Sequence, residues 1–173
     1  MPGYKLSTVF RVVLAGGVLL LGACSTNKTD PTTGWSPNKI YAEAKDELSS
    51  GGYEKAIPLF EKLEGRAAGT PLAQQAQIDK AYAQYKNGDA IQAVATLNRF
   101  MKLHPASPAI DYALYLKGVV NFNDDLGLFS AITLQDLSER DQKAAKESFE
   151  AFKELVARYP DSRYAPDARA RMI

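Results

Sequence analysis

Cysteine and histidine are nearly missing from this 173-residue chain, which has one of each. A single thiol excludes an intramolecular disulfide framework and a Cys-cluster zinc site. A single imidazole excludes metal motifs built on two His ligands. An excess of one charge is missing as well. Lys and Arg number 21 against 20 Asp and Glu, a net charge of +1, whereas proteins that bind by neutralising phosphates carry a clear basic surplus. No nucleic-acid partner is therefore expected. No Ser or Cys stands in a catalytic motif, so His104, just before Pro105, reads as a helix-end residue suited to the helix dipole. Asp124-Asp125 reads as turn chemistry rather than a cation site, and Glu139-Arg140-Asp141 as a helix cap. The expectation is a protein with no catalytic, cofactor or metal site. What is present, 46% hydrophobic and 24% charged residues, is globular in composition.

The first residues stand apart from the rest. Lys5 and Arg11 are the only charges before residue 28, and Val12 to Leu21 is an apolar run. A basic start, about ten apolar residues and a small-residue end make a secretory signal, because the run is too short to span a bilayer as a mature helix. The run closes on Leu21-Gly22-Ala23-Cys24, which resembles a bacterial lipobox. That resemblance implies a signal peptide over 1–23, removal before Cys24, and diacylation of the Cys24 thiol. Ser25 is the next residue, and Ser at this place implies sorting to the outer membrane. Attachment through more than one acyl chain is stable. The segment 24–37 is polar and Pro/Gly-containing, with Trp35 its one large apolar residue, and reads as a flexible lipidated tether.

A period of 37 residues organises the chain beyond the tether. Gly51 and Gly88 are one period apart; so are Ala44 and Ala81, Ala56 and Ala93, Phe60 and Leu97, Leu63 and Phe100. A further step takes Ala81 to Gly118, Ile78 to Tyr115 and Tyr85 to Phe122. Each unit reads as two amphipathic helices. Ile40, Ala44 and Leu48 share a face, and Ser49-Ser50-Gly51-Gly52 ends the helix. The partner helix carries Tyr53, Ile57, Phe60 and Leu63, with Pro58 predicting a late start or a bend. Thr70-Pro71 opens the second unit as an N-cap followed by proline, and Ser107-Pro108 is expected to open the third in the same way. The third unit presents Tyr112, Tyr115, Val119 and Phe122. An apolar insertion of roughly 15 residues, within 123–140, then precedes a helix expected near Asp141 with Ala145, Phe149, Phe152, Val156 and Tyr159 on its inner face. Six large apolar residues in that insertion argue for packing on the surface.

The turn glycines, the small residues at the helix crossings and the closing prolines resemble tetratricopeptide repeats, whose usual period is about 34 residues. The resemblance implies an all-α, right-handed superhelical array of about three and a half helix pairs over 38–173. Units lie near 38–70, 71–107 and 108–160, with the insertion 123–140. A fourth unit starts at 161–173, and a partner helix is expected beyond Ile173. First helices line the concave side of such arrays. Tyr41, Tyr82, Tyr85, Tyr112 and Tyr115 fall on them; Tyr85 and Tyr115 share register with apolar residues, which favours the core, and Tyr82 and Tyr112 are the better groove residues. An aromatic groove suits an extended peptide bearing aromatic side chains, and Lys45 could meet a terminal carboxylate.

The lipobox, short tether and longer-period repeats together resemble the BamD (ComL) family. So do Pro37-Asn38-Lys39-Ile40-Tyr41, Tyr82–Asp89, Ile110–Gly118 and Gly127-Leu128-Phe129. That family implies a non-enzymatic, lipid-anchored scaffold on the periplasmic face of the outer membrane, with BamA and other subunits of the assembly complex as partners. Its ligands would be C-terminal segments of unfolded β-barrel proteins. The family has about five repeats, and its BamA-docking surface lies mostly in the C-terminal ones, so the present stretch should bind peptide and hold BamA poorly. The periplasmic division coordinator CpoB shares the pattern of Tyr159–Ala168 but carries a coiled coil and lacks a lipobox. A different class, an enzyme or enzyme activator linked to peptidoglycan, would need a catalytic constellation.

Overall fold

The structure, a computed structural model, describes residues 30–122 and 137–172, the side chains of 137–141 excepted. Residues 1–29, on which the expected signal peptide, Cys24 and most of the expected tether fall, lie outside the described residues, as does the part of the expected insertion over 123–136. All helices below belong to the unit that begins at Trp35. Among the described residues the secondary structure is helical throughout: α1 (Pro37–Ser49), α2 (Tyr53–Arg66), α3 (Pro71–Lys86), α4 (Ala90–Leu103), α5 (Ile110–Asn121), α6 (Leu137–Arg158) and α7 (Ala165–Arg171). None is long and apolar enough to cross a membrane. Each helix packs mainly on its neighbours in sequence, which is the arrangement of a stacked repeat.

The starts of α1 and α3, 34 residues apart, are capped alike, and the turns that end them keep the 37-residue period. Ser36 accepts a hydrogen bond from Lys39 N–H at 3.3 Å and Thr70 from Ala73 N–H at 3.2 Å; each satisfies an orphan amide and contributes about 1 kcal/mol. Both helices then begin on proline. At the turns, Gly52 N–H donates to Glu47 O and Gly51 N–H to Leu48 O; one period later Asp89 N–H donates to Gln84 O and Gly88 N–H to Tyr85 O. The bonds match because Gly51 and Gly88 both take φ above +80°, a region that side chains with a Cβ adopt poorly.

The paired positions form the core. Ala44, Ala81, Ala56, Ala93, Phe60, Leu97, Leu63 and Phe100 are all fully buried. A fully buried Phe or Leu is worth about 1.5–3 kcal/mol relative to exposure, and the alanines let the helices close on one another. Gly118 does so in the third pair: a Cβ there would lie 2.4 Å from a ring carbon of Phe152. Ser148 Oγ donates to the Gly118 carbonyl at 2.9 Å across the same crossing. Polar ties stitch the layers elsewhere. Glu64 of α2 takes Lys80 of α3 at 2.7 Å and Arg99 of α4 at 2.7 Å. Thr96 Oγ1 donates to Gln84 Oε1 at 2.8 Å.

Four expectations are corrected. Of the two outcomes expected of Pro58 the late start is excluded, because the helix after Gly52 begins at Tyr53 and includes Pro58. Ser107-Pro108 forms a turn whose Ser107 carbonyl accepts Ile110 N–H, and α5 begins only at Ile110. α6 begins at Leu137, so Glu139-Arg140-Asp141 lies inside the helix rather than capping it; Glu, Arg and the Gln, Lys and Ala after them are good helix formers, and nothing among them stops the helix. The inner face of α6 is Ser148, Ala151, Phe152 and Leu155, while Ala145 and Phe149 are exposed. Gly118 leaves room for the Phe152 ring and its carbonyl takes the Ser148 hydroxyl, which turns Phe149 away from the crossing.

Candidate peptide-binding face

The first helices α1, α3 and α5 together build one face of the array. One period separates Lys45 from Tyr82 and Gln75 from Tyr112, two registers that lie two turns apart along α3. Tyr41 of α1 reaches Asp79 of α3, its hydroxyl donating to Oδ2 at 3.0 Å. Gln75 Nε2 donates to Oδ1 of the same carboxylate at 3.2 Å, and Lys45 Nζ lies 3.5 Å from it. The Asp79 side chain is 11% exposed. Three donors from two helices therefore converge on one buried carboxylate, which offsets its desolvation.

The other end is aromatic. Tyr164, just before α7, stacks on Tyr115 at 4.8 Å between ring centres and lies 5.2 Å from Tyr112. The Arg163 guanidinium sits 4.7 Å from the centre of the Tyr164 ring. Tyr115 donates to Asp167 Oδ2 at 2.8 Å, which also accepts Arg171 Nε at 2.7 Å. Ser162 Oγ donates to Asp111 at 2.7 Å.

These surroundings hold the phenols neutral. Burial first, then the nearby Tyr164, Asp79, Tyr82 and Tyr115, push the Tyr112 hydroxyl up to about 12. Burial, then the Asp79 charge and hydrogen bond, push Tyr41 up to about 12. Hydrogen bonds from Arg171 and then Tyr115 hold the Asp167 carboxyl below its usual range. The face thus offers phenol hydroxyls, ring surface and the hydrogen-bonded carboxylates of Asp79, Asp111 and Asp167. Among the described residues no group of three His, Cys, Asp or Glu could hold a metal.

The residues singled out from sequence fall into place unevenly. Tyr82 and Tyr112 are half-buried and pack against the same core cluster. The division into groove and core tyrosines does not appear, because Tyr85 and Tyr115 are half-buried in the same way. A tyrosine packs its ring while keeping its hydroxyl wet, so shared register with an apolar residue does not force full burial. Lys45 is less free than expected, being charge-paired with Asp79. His104 caps α4, its N–H donating to Phe100 O at 2.9 Å, with its ring 5.2 Å from that of Phe100. Asp79, Gln75 and Tyr164 were not singled out. Asp79 had a signal, a charged residue one period from Ala42 and Leu116.

The profile of the tetratricopeptide-repeat family matches residues 28–172. Outer membrane protein assembly factor BamD of Neisseria meningitidis serogroup B is 48% identical over 160 residues, which cover 90% of this chain and 60% of that protein. The proteins of the same name from Vibrio cholerae and Caulobacter vibrioides are 36% identical over 155 residues and 26% over 168, covering 64% and 51% of their lengths. This chain therefore spans somewhat under two thirds of the relatives it matches. Its paired helices, glycine turns and small-residue crossings, with these likenesses along nearly all of it, make the chain a member of the tetratricopeptide-repeat family and, within it, of the BamD family of outer-membrane protein assembly factors.

Proposed function

We infer that this chain is a non-enzymatic scaffold of the outer-membrane protein assembly complex. Its task is to take up unfolded β-barrel proteins through their aromatic C-terminal segments and present them to BamA. The observation that carries this reading is the set of half-buried rings Tyr82, Tyr112, Tyr115 and Tyr164, which pack on one core cluster, with Tyr41 and Lys45 meeting at Asp79 of the same first helix that carries Tyr82. Half-buried rings add contact area at low entropy cost, because packing has already fixed them. The relatives named as assembly factors supply the client class. BamA and the other subunits of the assembly complex are the partners. Lipid on Cys24 would hold the protein on the periplasmic side of the outer membrane.

Titration of this chain with a peptide ending in alternating aromatic residues tests the reading, with Tyr82→Ala, Tyr112→Ala and the double variant compared by affinity and by thermal melting. The expected result is weaker binding at nearly unchanged melting temperature. Unchanged affinity in a folded double variant refutes the groove, and a collapse in melting temperature makes these rings core residues.

A further inference from the structure

A carboxylate placed beside a lysine changes what that lysine can recognise. Lys45 Nζ stands 3.5 Å from Asp79, and the lysine side chain is 42% exposed against 11% for the aspartate. The cation is the more exposed partner and the anion the more buried one. Asp79 cannot swing away, because Tyr41 and Gln75 hold both of its oxygens, at 3.0 and 3.2 Å. An incoming carboxylate that contacts Lys45 from the open side therefore comes within a few ångströms of a fixed negative charge. With the incoming group about 3 Å from the lysine and about 6–7 Å from the aspartate, repulsion offsets about half of the attraction.

We propose that Asp79 is a specificity-determining residue of the groove: it neutralises Lys45 and suppresses recognition of a free terminal carboxylate, leaving selection to the aromatic rings. The proposal rests on the reading of this face as a peptide groove and adds which feature of the peptide is read. Tyr41 and Gln75 act as positioning residues, since they fix the carboxylate that tunes the lysine. The ligand class is then set: extended, aromatic-bearing segments bind about equally well with a charged or an uncharged end.

The test compares one ten-residue peptide of alternating aromatic and polar residues, ending in Phe, as the free acid and as the C-terminal amide. Affinities are measured for wild type, Lys45→Ala, Asp79→Asn and Asp79→Asn/Lys45→Ala, with circular-dichroism melts as the check on folding. Wild type should favour the acid over the amide by less than about threefold, and Lys45→Ala should change acid affinity by less than about twofold. Asp79→Asn keeps the shape and an acceptor oxygen while removing the charge, and should raise the acid-to-amide preference to about tenfold, a preference that vanishes with Lys45→Ala. A wild-type preference of tenfold that Lys45→Ala abolishes overturns the proposal, and this arm does not depend on the folding of any Asp79 variant. An unchanged ratio in folded Asp79→Asn overturns it as well, while leaving the groove intact if Tyr82→Ala and Tyr112→Ala still weaken both peptides. Absence of binding by either peptide removes the groove reading and this inference together.

Discussion

Replacement of Gly118 by alanine adds one methyl group at the tightest crossing in the array. The new Cβ would lie 2.4 Å from Phe152 Cε1 and 2.6 Å from Cδ1 and Cζ, where carbon atoms normally sit about 3.5–4.0 Å apart. The ring has to retreat by about 1 Å, yet it is fully buried and lies 6.1 Å from Tyr115 and 6.4 Å from Phe122, ring centre to ring centre. Overpacking of this kind costs about 1–3 kcal/mol, and the overlap puts Gly118→Ala in the upper part of that range. Alanine returns about 1 kcal/mol through helix propensity. The expected net loss is therefore about 1–2 kcal/mol, a fall of about 3–10 °C in melting temperature for an array of this size. Because a repeat array can open piecewise and the only tryptophan is Trp35 in the opposite end of the sequence, fluorescence would miss the event. Hydrogen exchange read separately over α5 and α6 would catch it. Phe152→Leu should partly relieve the clash, so that the double variant loses about 1 kcal/mol less than the two single losses added. A Gly118→Ala protein as stable as wild type, or strict additivity with Phe152→Leu, would refute the reasoning that this glycine exists to admit that ring.

Glu64→Gln should cost about 3–5 kcal/mol by leaving the Lys80 ammonium buried without its partner, whereas Arg99→Ala, at a side chain 49% exposed, should cost under about 1 kcal/mol; chemical denaturation of both variants checks the ordering. Tyr41 and Tyr112, both raised to about 12, favour their neutral forms in the fold, so their contribution is complete below the free phenol value and is lost as pH rises through about 10 to 12. Absorbance titration should show late-ionising tyrosines whose transition coincides with loss of helical circular dichroism, and Tyr41→Phe should move that transition to higher pH. Cys24→Ala should shift the protein out of the outer-membrane fraction when cells lacking its partners are fractionated; retention there would rule out lipid anchoring.

The architecture was legible because one period carried it. Positions one period apart, such as Phe60 with Leu97 and Leu63 with Phe100, are equally buried, and the glycine turns repeat bond for bond. Legibility failed where the period is interrupted. Ala93, Leu97 and Phe100 of α4 correspond in burial to Ser148, Phe152 and Leu155 of α6, 55 residues later, so the interruption amounts to 18 residues. Counting it as 15 turns the expected helix face by about 60°, which is enough to bring Phe149 inward. The candidate binding face was legible in its rings but not in its charges. Which lysine is free depends on what faces it from the next helix, and Asp79 sits in a register otherwise held by alanine and leucine, where periodic reasoning expects nothing polar. Tyr164 lies beyond the interruption, so no repeat step connected it to Tyr112 and Tyr115.

Contact between clients and the first-helix face is tested most directly by a photo-crosslinking amino acid at position 82 or 112, and as a control at position 91, where Ile91 of the second helix α4 is 70% exposed. Each protein is illuminated with an unfolded outer-membrane β-barrel protein present. Crosslinks from 82 and 112, competed away by the aromatic C-terminal peptide and absent from 91, are the predicted result. Equal crosslinking from 91, or crosslinks at 82 and 112 that the peptide leaves untouched, would contradict it.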